Sequence, residues 1–303
     1  MASTDTLSYR GGMTEIGRHR LRYRAPFDWT AHLTFLAARA VPGVEHVDGT
    51  AYRRTSHSSQ GPTCVEVRQA RRGSALEVRS TTAAAADELS ARVARLFDTT
   101  ANPTAVVEAL GDTPLVGRSV REHPGLRVPG AWDPFEIVVR AIVGQQISVK
   151  GAATMLGRIA RTFGTRVAED DPSMTHVFPG ADRLVDAQLE RVGLTRARAG
   201  TIRGAAAALL DGRLAFDVDT DTFVRRFTAL RGIGPWTAQY VAMRALADRD
   251  AFPCGDLGLR KAAGVDTDAA LATLADAWRP YRAYAALHLW RRLATPQSAG
   301  RSS

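Results

Sequence analysis

Apolar positions recur on two different periods along the chain. Up to about Asn102 they form short runs separated by polar turns. Asp28 before Trp29 predicts a helix start, and Leu33, Phe35, Leu36, Ala37 and Val41 form an apolar run stopped by Pro42-Gly43. Four strand-like segments follow, Val44–Val47, Ala51–Ser56, Cys64–Arg68 and Leu76–Arg79. Gly/Ser/Pro clusters at Ser58–Pro62 and Arg72–Ser74 separate them. Ala83–Phe97 then places Leu89, Val93, Leu96 and Phe97 on one face of a helix. Beyond Asn102-Pro103 no strand pattern is visible and apolar residues fall at helical spacing. The predicted helices are Pro134–Val143, Val149–Phe163, Asp182–Glu190, Arg196–Asp211, Thr220–Ala229, Thr237–Ala247, Leu257–Ala263, Asp268–Trp278 and Tyr281–Ala294. Residues 1–18 are polar and aperiodic and are expected to be a disordered leader. The fold expected is α+β overall, with an α+β domain at residues 19–105 and an all-α domain at 106–303.

Length agrees with two domains, since 303 residues are about twice the usual domain size of roughly 150. No apolar stretch reaches the roughly 20 residues of a membrane helix. The arginine-bearing N-terminus lacks the apolar core of a secretory signal, so a soluble cytoplasmic protein with no membrane partner is expected. Cys64 and Cys254 are too few for a four-cysteine zinc or iron–sulfur site. The histidines show no metal-ligand spacing, and no phosphate-loop, dinucleotide or serine-elbow motif occurs. The net charge of +9 and pI near 10.3 point to a polyanion such as nucleic acid. Composition alone could produce the same bias, because the basic residues are almost all arginine. Lys150 and Lys261 are the only lysines, which limits any amine nucleophile to those two.

One segment carries more specific chemistry. In Leu230-Arg231-Gly232-Ile233-Gly234-Pro235-Trp236-Thr237-Ala238, two glycines let the backbone turn tightly between two predicted helices. Their N–H groups lie at the start of the second helix, where a phosphate is favoured. Ile233 would anchor the turn, and Thr237 would add a hydroxyl to the same phosphate. Such a helix–hairpin–helix holds a DNA backbone without reading sequence. A bare GxG is more often only a turn. Here, however, Asp256 follows Gly234 by twenty-two residues, after the Pro253-Cys254-Gly255 break and directly before a predicted helix. It suits a helix N-cap, and an N-cap at a cleft mouth can also face a substrate. A sequence-reading helix-turn-helix regulator fits less well, because Ala238, Val241, Ala242, Met243 and Ala245 make the following helix a core helix.

Together these residues resemble the helix–hairpin–helix DNA glycosylase superfamily, and more closely the AlkA-type 3-methyladenine DNA glycosylases. The similarity runs from about Leu21 to Ala294. It includes Ala25-Pro26-Phe27-Asp28-Trp29, Phe35-Leu36-Ala37-Ala38-Arg39-Ala40-Val41, Gly144-Gln145-Gln146-Ile147-Ser148-Val149 and Trp278-Arg279-Pro280-Tyr281. The resemblance implies an N-terminal α+β domain like a TATA-binding-protein repeat, followed by an all-α helix–hairpin–helix glycosylase core. It implies that Asp256 is catalytic and that Trp236, Tyr240, Trp290, Phe35 and Leu257 line the base pocket. Gly232, Ile233, Gly234, Thr237, Gln145 and Gln146 would contact DNA, with Gln146 in the place of the intercalating wedge. A monovalent cation could sit at the carbonyls of Thr228, Leu230 and Ile233. Arg231, Arg244 and Arg260 are candidate phosphate neighbours. Lyase relatives carry a lysine where Trp236 stands, so no strand cleavage is implied. The function implied is release of alkylated purines from double-stranded DNA by a monomer with no cofactor. A non-catalytic damage-binding protein of the same fold is the alternative.

Overall fold

The computed structural model describes residues 17–167 and 171–294. The first part is an antiparallel five-stranded sheet in the order β1-β5-β4-β3-β2. Its strands are β1 (Gly17–Arg22), β2 (Glu45–Val47), β3 (Ala51–Ser58), β4 (Gly61–Gln69) and β5 (Ala75–Ser80). Register is set by pairs such as Tyr52↔Val67 and Val67↔Val78, which point the same way and are all buried. Helices α1 (Trp29–Arg39) and α2 (Ala83–Leu96) complete this layer. Both begin where their caps dictate: Asp28 accepts from Ala31 N at 2.9 Å, and Thr82 Oγ1 from Ala85 N at 3.1 Å. Leu33, Leu36, Leu89 and Val93 from the helices, with Phe97 just past α2, meet Val65, Val67 and Val78 in one apolar cluster.

The helical part contains α3 (Pro103–Leu110), α4 (Gly117–Glu122), α5 (Pro134–Gly144), α6 (Val149–Phe163), α7 (Ala181–Leu184) and α8 (Arg196–Leu210). It continues with α9 (Thr220–Thr228), α10 (Pro235–Ala245), α11 (Leu257–Ala263), α12 (Asp268–Ala275) and α13 (Arg282–Ala294). Helix α5 is central: Ile137, Val138, Val139, Ile142 and Val143 are all buried, and α6, α8 and α10 pack around it.

Several expectations are corrected. Strand β1 begins at Gly17, inside the stretch expected as leader, and residues 1–16 lie outside the described residues. β1 was invisible as a strand because GRHRLR has one strongly apolar side chain and is held by backbone pairing to β5. Strand structure also recurs past residue 103, as β6 (Thr165–Arg166) paired with β7 (His176–Val177). β7 abuts β3, where Thr55 Oγ1 donates to the His176 carbonyl at 2.7 Å. The stretch Asp182–Glu190 is broken into α7 and a 3-10 turn, Leu189–Val192.

The two parts are joined by charge as well as by packing. Trp132 is buried with the first part's apolar cluster, and its indole donates to Ser56 Oγ at 3.1 Å. Arg54 on β3 reaches Glu136 on α5 at 2.8 Å, and Arg140 reaches Glu45 and Glu136 at 2.5 Å each. Burial alone would raise the Glu136 carboxyl. Arg54 and Arg140 outweigh that and hold it well below the usual carboxylate range.

Candidate active site

A cavity of about 790 Å³ opens between α1 of the first part and α5, α6, α10 and α13 of the second. Asp28, Glu45, Glu136 and Asp256 are the carboxylates that border it. Asp28 caps α1, while Glu45 and Glu136 are paired with arginines. Asp256 has no ion-pair partner among the described residues.

Asp256 is the N-cap of α11, and its Oδ1 accepts from Leu259 N at 2.8 Å. Two indoles fix the rest of the carboxylate. Trp290 Nε1 donates to Oδ1 at 3.1 Å, and Trp236 Nε1 donates to Oδ2 at 3.0 Å. The carboxylate is half-buried. Gly258 permits this arrangement, since a Cβ there would stand 3.0 Å from Asp256 Oδ1. The capping role and the cleft-facing role therefore coincide in one side chain, each oxygen held in a fixed direction.

The aromatic wall is built mainly by α10. Trp236 and Tyr240, one turn apart, are stacked with centroids 5.4 Å apart and planes 9° apart. The Tyr240 hydroxyl accepts from Arg244 Nη1 at 2.7 Å. Burial would raise the Tyr240 hydroxyl pKa, but the positive charges of Arg244 and Arg39 outweigh it and lower it. Phe35 borders the cavity from α1, with the Arg39 guanidinium 3.9 Å and the Arg244 guanidinium 5.0 Å from its ring centroid. Its ring is thus already occupied by two cations.

Leu257 departs from its expected place. As the first residue of α11 it is turned to solvent, 72% exposed, and does not border the cavity. Ile147 and Val149 border it instead.

The hairpin joins α9 to α10 as the glycine spacing required. Gly232 adopts φ +87°, and a Cβ there would stand 2.3 Å from Thr201 Oγ1. Gly234 is the N-cap of α10 and supplies no side-chain cap; nothing lies within 4 Å of where its Cβ would be. The first-turn N–H groups of α10 therefore look to an acceptor from outside. Ile233 is buried as the anchor, and the Leu230 carbonyl accepts its N–H at 3.2 Å. Thr228 closes α9, its hydroxyl donating back to the Val224 carbonyl at 2.7 Å.

Thr237 and Gln145 hold different posts from those expected. Thr237 is buried, and its hydroxyl accepts the Gln145 amide at 3.1 Å. The same amide donates to the Gly232 carbonyl at 3.2 Å, so Gln145 braces the hairpin from α5. Gln146 is exposed at the tip between α5 and α6 with φ +59°. Of the three arginines considered as phosphate neighbours, Arg231 is exposed on the hairpin. Arg244 is buried, donating to the Pro129 and Gly130 carbonyls. Arg260 turns to the Asp266 carbonyl at 2.8 Å and to Asp268 at 3.3 Å.

Sequence reasoning missed Arg39 as a cavity residue, and with it the Glu45, Arg54, Glu136 and Arg140 cluster. A signal existed for part of it. Glu136 and Arg140 are the charged residues at i and i+4 in the otherwise apolar PFEIVVRAIVG. No group of three or more potential metal-ligating side chains occurs among the described residues.

Comparison with known proteins agrees with this architecture. The family model of the AlkA N-terminal domain matches residues 18–133. DNA-3-methyladenine glycosylase 2 of Escherichia coli is 35% identical over 279 residues, covering 90% of this chain and 96% of that protein. A Mycobacterium tuberculosis protein described as a probable bifunctional transcriptional activator/DNA repair enzyme AlkA is 39% identical over 283 residues. That match covers 91% of this chain and 57% of the relative, so the chain spans a little over half of that relative's length. In three dimensions the chain is similar to the 3-methyladenine DNA-glycosylase of Archaeoglobus fulgidus. Their TM-score is 0.77 at 20% identity, covering 90% and 97% of the two chains. With a relative 35% identical along nearly all of both chains, and a cap, hairpin and sheet where that resemblance requires them, the chain belongs to the AlkA family of DNA-3-methyladenine glycosylases.

Proposed function

We propose that the chain is a monofunctional DNA glycosylase that hydrolyses alkylated purines from double-stranded DNA and leaves an abasic site. The observation that carries this is the Asp256 carboxylate, held by Trp236 and Trp290 at an aromatic cavity and free of any basic partner among the described residues. A purine flipped from the stack would enter the cavity against Trp236, at a cost of a few kcal/mol that is lower for a damaged base. Alkylation at N3 or N7 makes the base cationic and a good leaving group, and electron-rich ring faces attract it. As the bond from C1′ to the base nitrogen breaks, its electron pair leaves with the base and positive charge develops on the sugar. Asp256 opposes that charge across the cleft, and electrostatic help of this kind is worth several kcal/mol. Water then adds to C1′ and loses its proton, with Asp256 as the acceptor.

The hairpin N–H groups at Gly232 and Gly234 would hold the phosphates, with Gln145 and Thr237 supporting them from below and Gln146 filling the gap left by the flipped base. The hairpin carbonyls of Thr228, Leu230 and Ile233 are the candidate seat of a monovalent cation. No amine stands at Trp236, so strand cleavage through a Schiff base is not expected. We divide the chain into domains at about residue 105 and expect a cytoplasmic monomer. A damage-binding protein without catalysis would have no use for the fixed carboxylate. The test is release of free methylated purine by the wild-type chain and its loss in Asp256→Asn.

A further inference from the structure

The inner wall of the cavity carries a guanidinium for which the chemistry above has no use. Arg39 is the last residue of α1 and borders the cavity. Among the described residues its side chain makes a single hydrogen bond, from Nη1 to the Phe35 carbonyl at 3.4 Å. The neighbouring guanidinium groups are engaged. Arg140 pairs with Glu45 and Glu136, and also donates to the Arg39 carbonyl at 3.0 Å. Arg244 holds two carbonyls and the Tyr240 hydroxyl. No carboxylate pairs with Arg39 among the described residues. Arg39 therefore presents donors and no acceptor to the cavity, with its guanidinium carbon 3.9 Å from the centroid of the Phe35 ring.

We infer that Arg39 is a specificity-determining residue that donates to the carbonyl oxygen at C6 of the flipped purine. It would favour 6-oxopurine lesions, such as hypoxanthine and 7-methylguanine, over the 6-aminopurine 3-methyladenine. The inference rests on the glycosylase function proposed above. Its physical basis is the mismatch of donors. A C6 carbonyl completes the guanidinium, whereas a C6 amino group sets donor against donor and leaves both unsatisfied. Phe35 holds the guanidinium beside the cavity through the contact with its ring and the hydrogen bond to its carbonyl.

The experiment measures single-turnover release of hypoxanthine, 7-methylguanine and 3-methyladenine from duplex DNA by wild type, Arg39→Met and Arg39→Lys. Arg39→Met should lower release of the two 6-oxopurines at least about tenfold, and change 3-methyladenine release by less than about threefold. Arg39→Lys, which keeps the charge and one line of donation, should recover part of the loss. Thermal unfolding checks that each variant folds; if Arg39→Met does not, Arg39→Lys carries the same comparison with a smaller selective loss. Equal losses on all three bases, or no change on any, would overturn the role of Arg39 while leaving the glycosylase assignment intact. A wild-type chain that releases none of the three would overturn both.

Discussion

The indole nitrogen of Trp290 lies 3.1 Å from Oδ1 of Asp256, so an aromatic side chain of the cavity also holds the carboxylate beneath it. A hydrogen bond to a charged acceptor contributes about 1.5–3 kcal/mol. Trp290→Phe keeps most of the ring and removes the donor. Base release should fall at least about tenfold, with the thermal midpoint nearly unchanged because Trp290 is not fully buried. Full activity in that variant would mean that the carboxylate is oriented by its helix cap alone.

The two hairpin glycines should fail differently. Gly232→Ala forces a side chain onto φ +87° and into Thr201 Oγ1. It should destabilise the chain by about 1–3 kcal/mol and weaken binding to abasic duplex. Gly234→Ala meets nothing within 4 Å and needs no positive φ. It should leave stability intact yet weaken DNA binding, since a methyl group stands where a phosphate would approach the α10 N-terminus. Unchanged affinity for abasic duplex in Gly234→Ala would place the DNA backbone elsewhere.

Arg54 is buried between two carboxylates on opposite sides of the domain junction. Arg54→Met leaves Glu136 and Glu45 with one fewer cation in a desolvated site, so urea unfolding should show a loss of about 3–5 kcal/mol. Adding Glu136→Gln should recover part of it. A loss below about 1 kcal/mol would be that of a surface pair and would contradict the burial.

Stability should also fall in mild acid. Burial is the main cause that lowers His288 to about 4 and His32 to about 3. Both lie below the ordinary value near 6.5. Between those limits the unfolded chain takes up protons that the folded chain refuses. The contribution is complete above pH about 6.5 and is lost as pH falls toward the folded values, by about 1.4 kcal/mol per unit for each histidine. Urea midpoints at pH 7, 6 and 5 should decline, and His288→Asn should flatten the decline. A flat profile in the wild type would show that these rings are not held neutral.

Much of the fold was legible because its punctuation is chemical. Ser148 and Asp256 are strong N-caps, and α6 and α11 occupy the predicted residues. The hairpin was legible because few sequences need two glycines and a proline between two helices. Strand β1 was not, because an edge strand held by backbone bonds leaves almost no apolar trace. The site was legible where one residue type implies one geometry, as with the Asp256 cap and the Trp236–Tyr240 stack. It was not legible where the outcome depends on which of many charges meet. Arg54 meets Glu136, 82 residues further along the chain, while no carboxylate pairs with Arg39 among the described residues, and nothing in the sequence tells the two arginines apart. Leu257 illustrates the same limit: its neighbour faces the cleft, and a helix start turns it the other way.

If Asp256 drives base loss as proposed, free-base release from methylated duplex DNA will show it, with wild type and Asp256→Asn side by side and strand integrity checked before and after alkali. Methylated purines released by wild type alone, with breaks appearing only after alkali, are the predicted result. Asparagine can keep the α11 cap, so the variant should remain folded and still bind abasic duplex. Base release by Asp256→Asn at the wild-type rate would contradict the account.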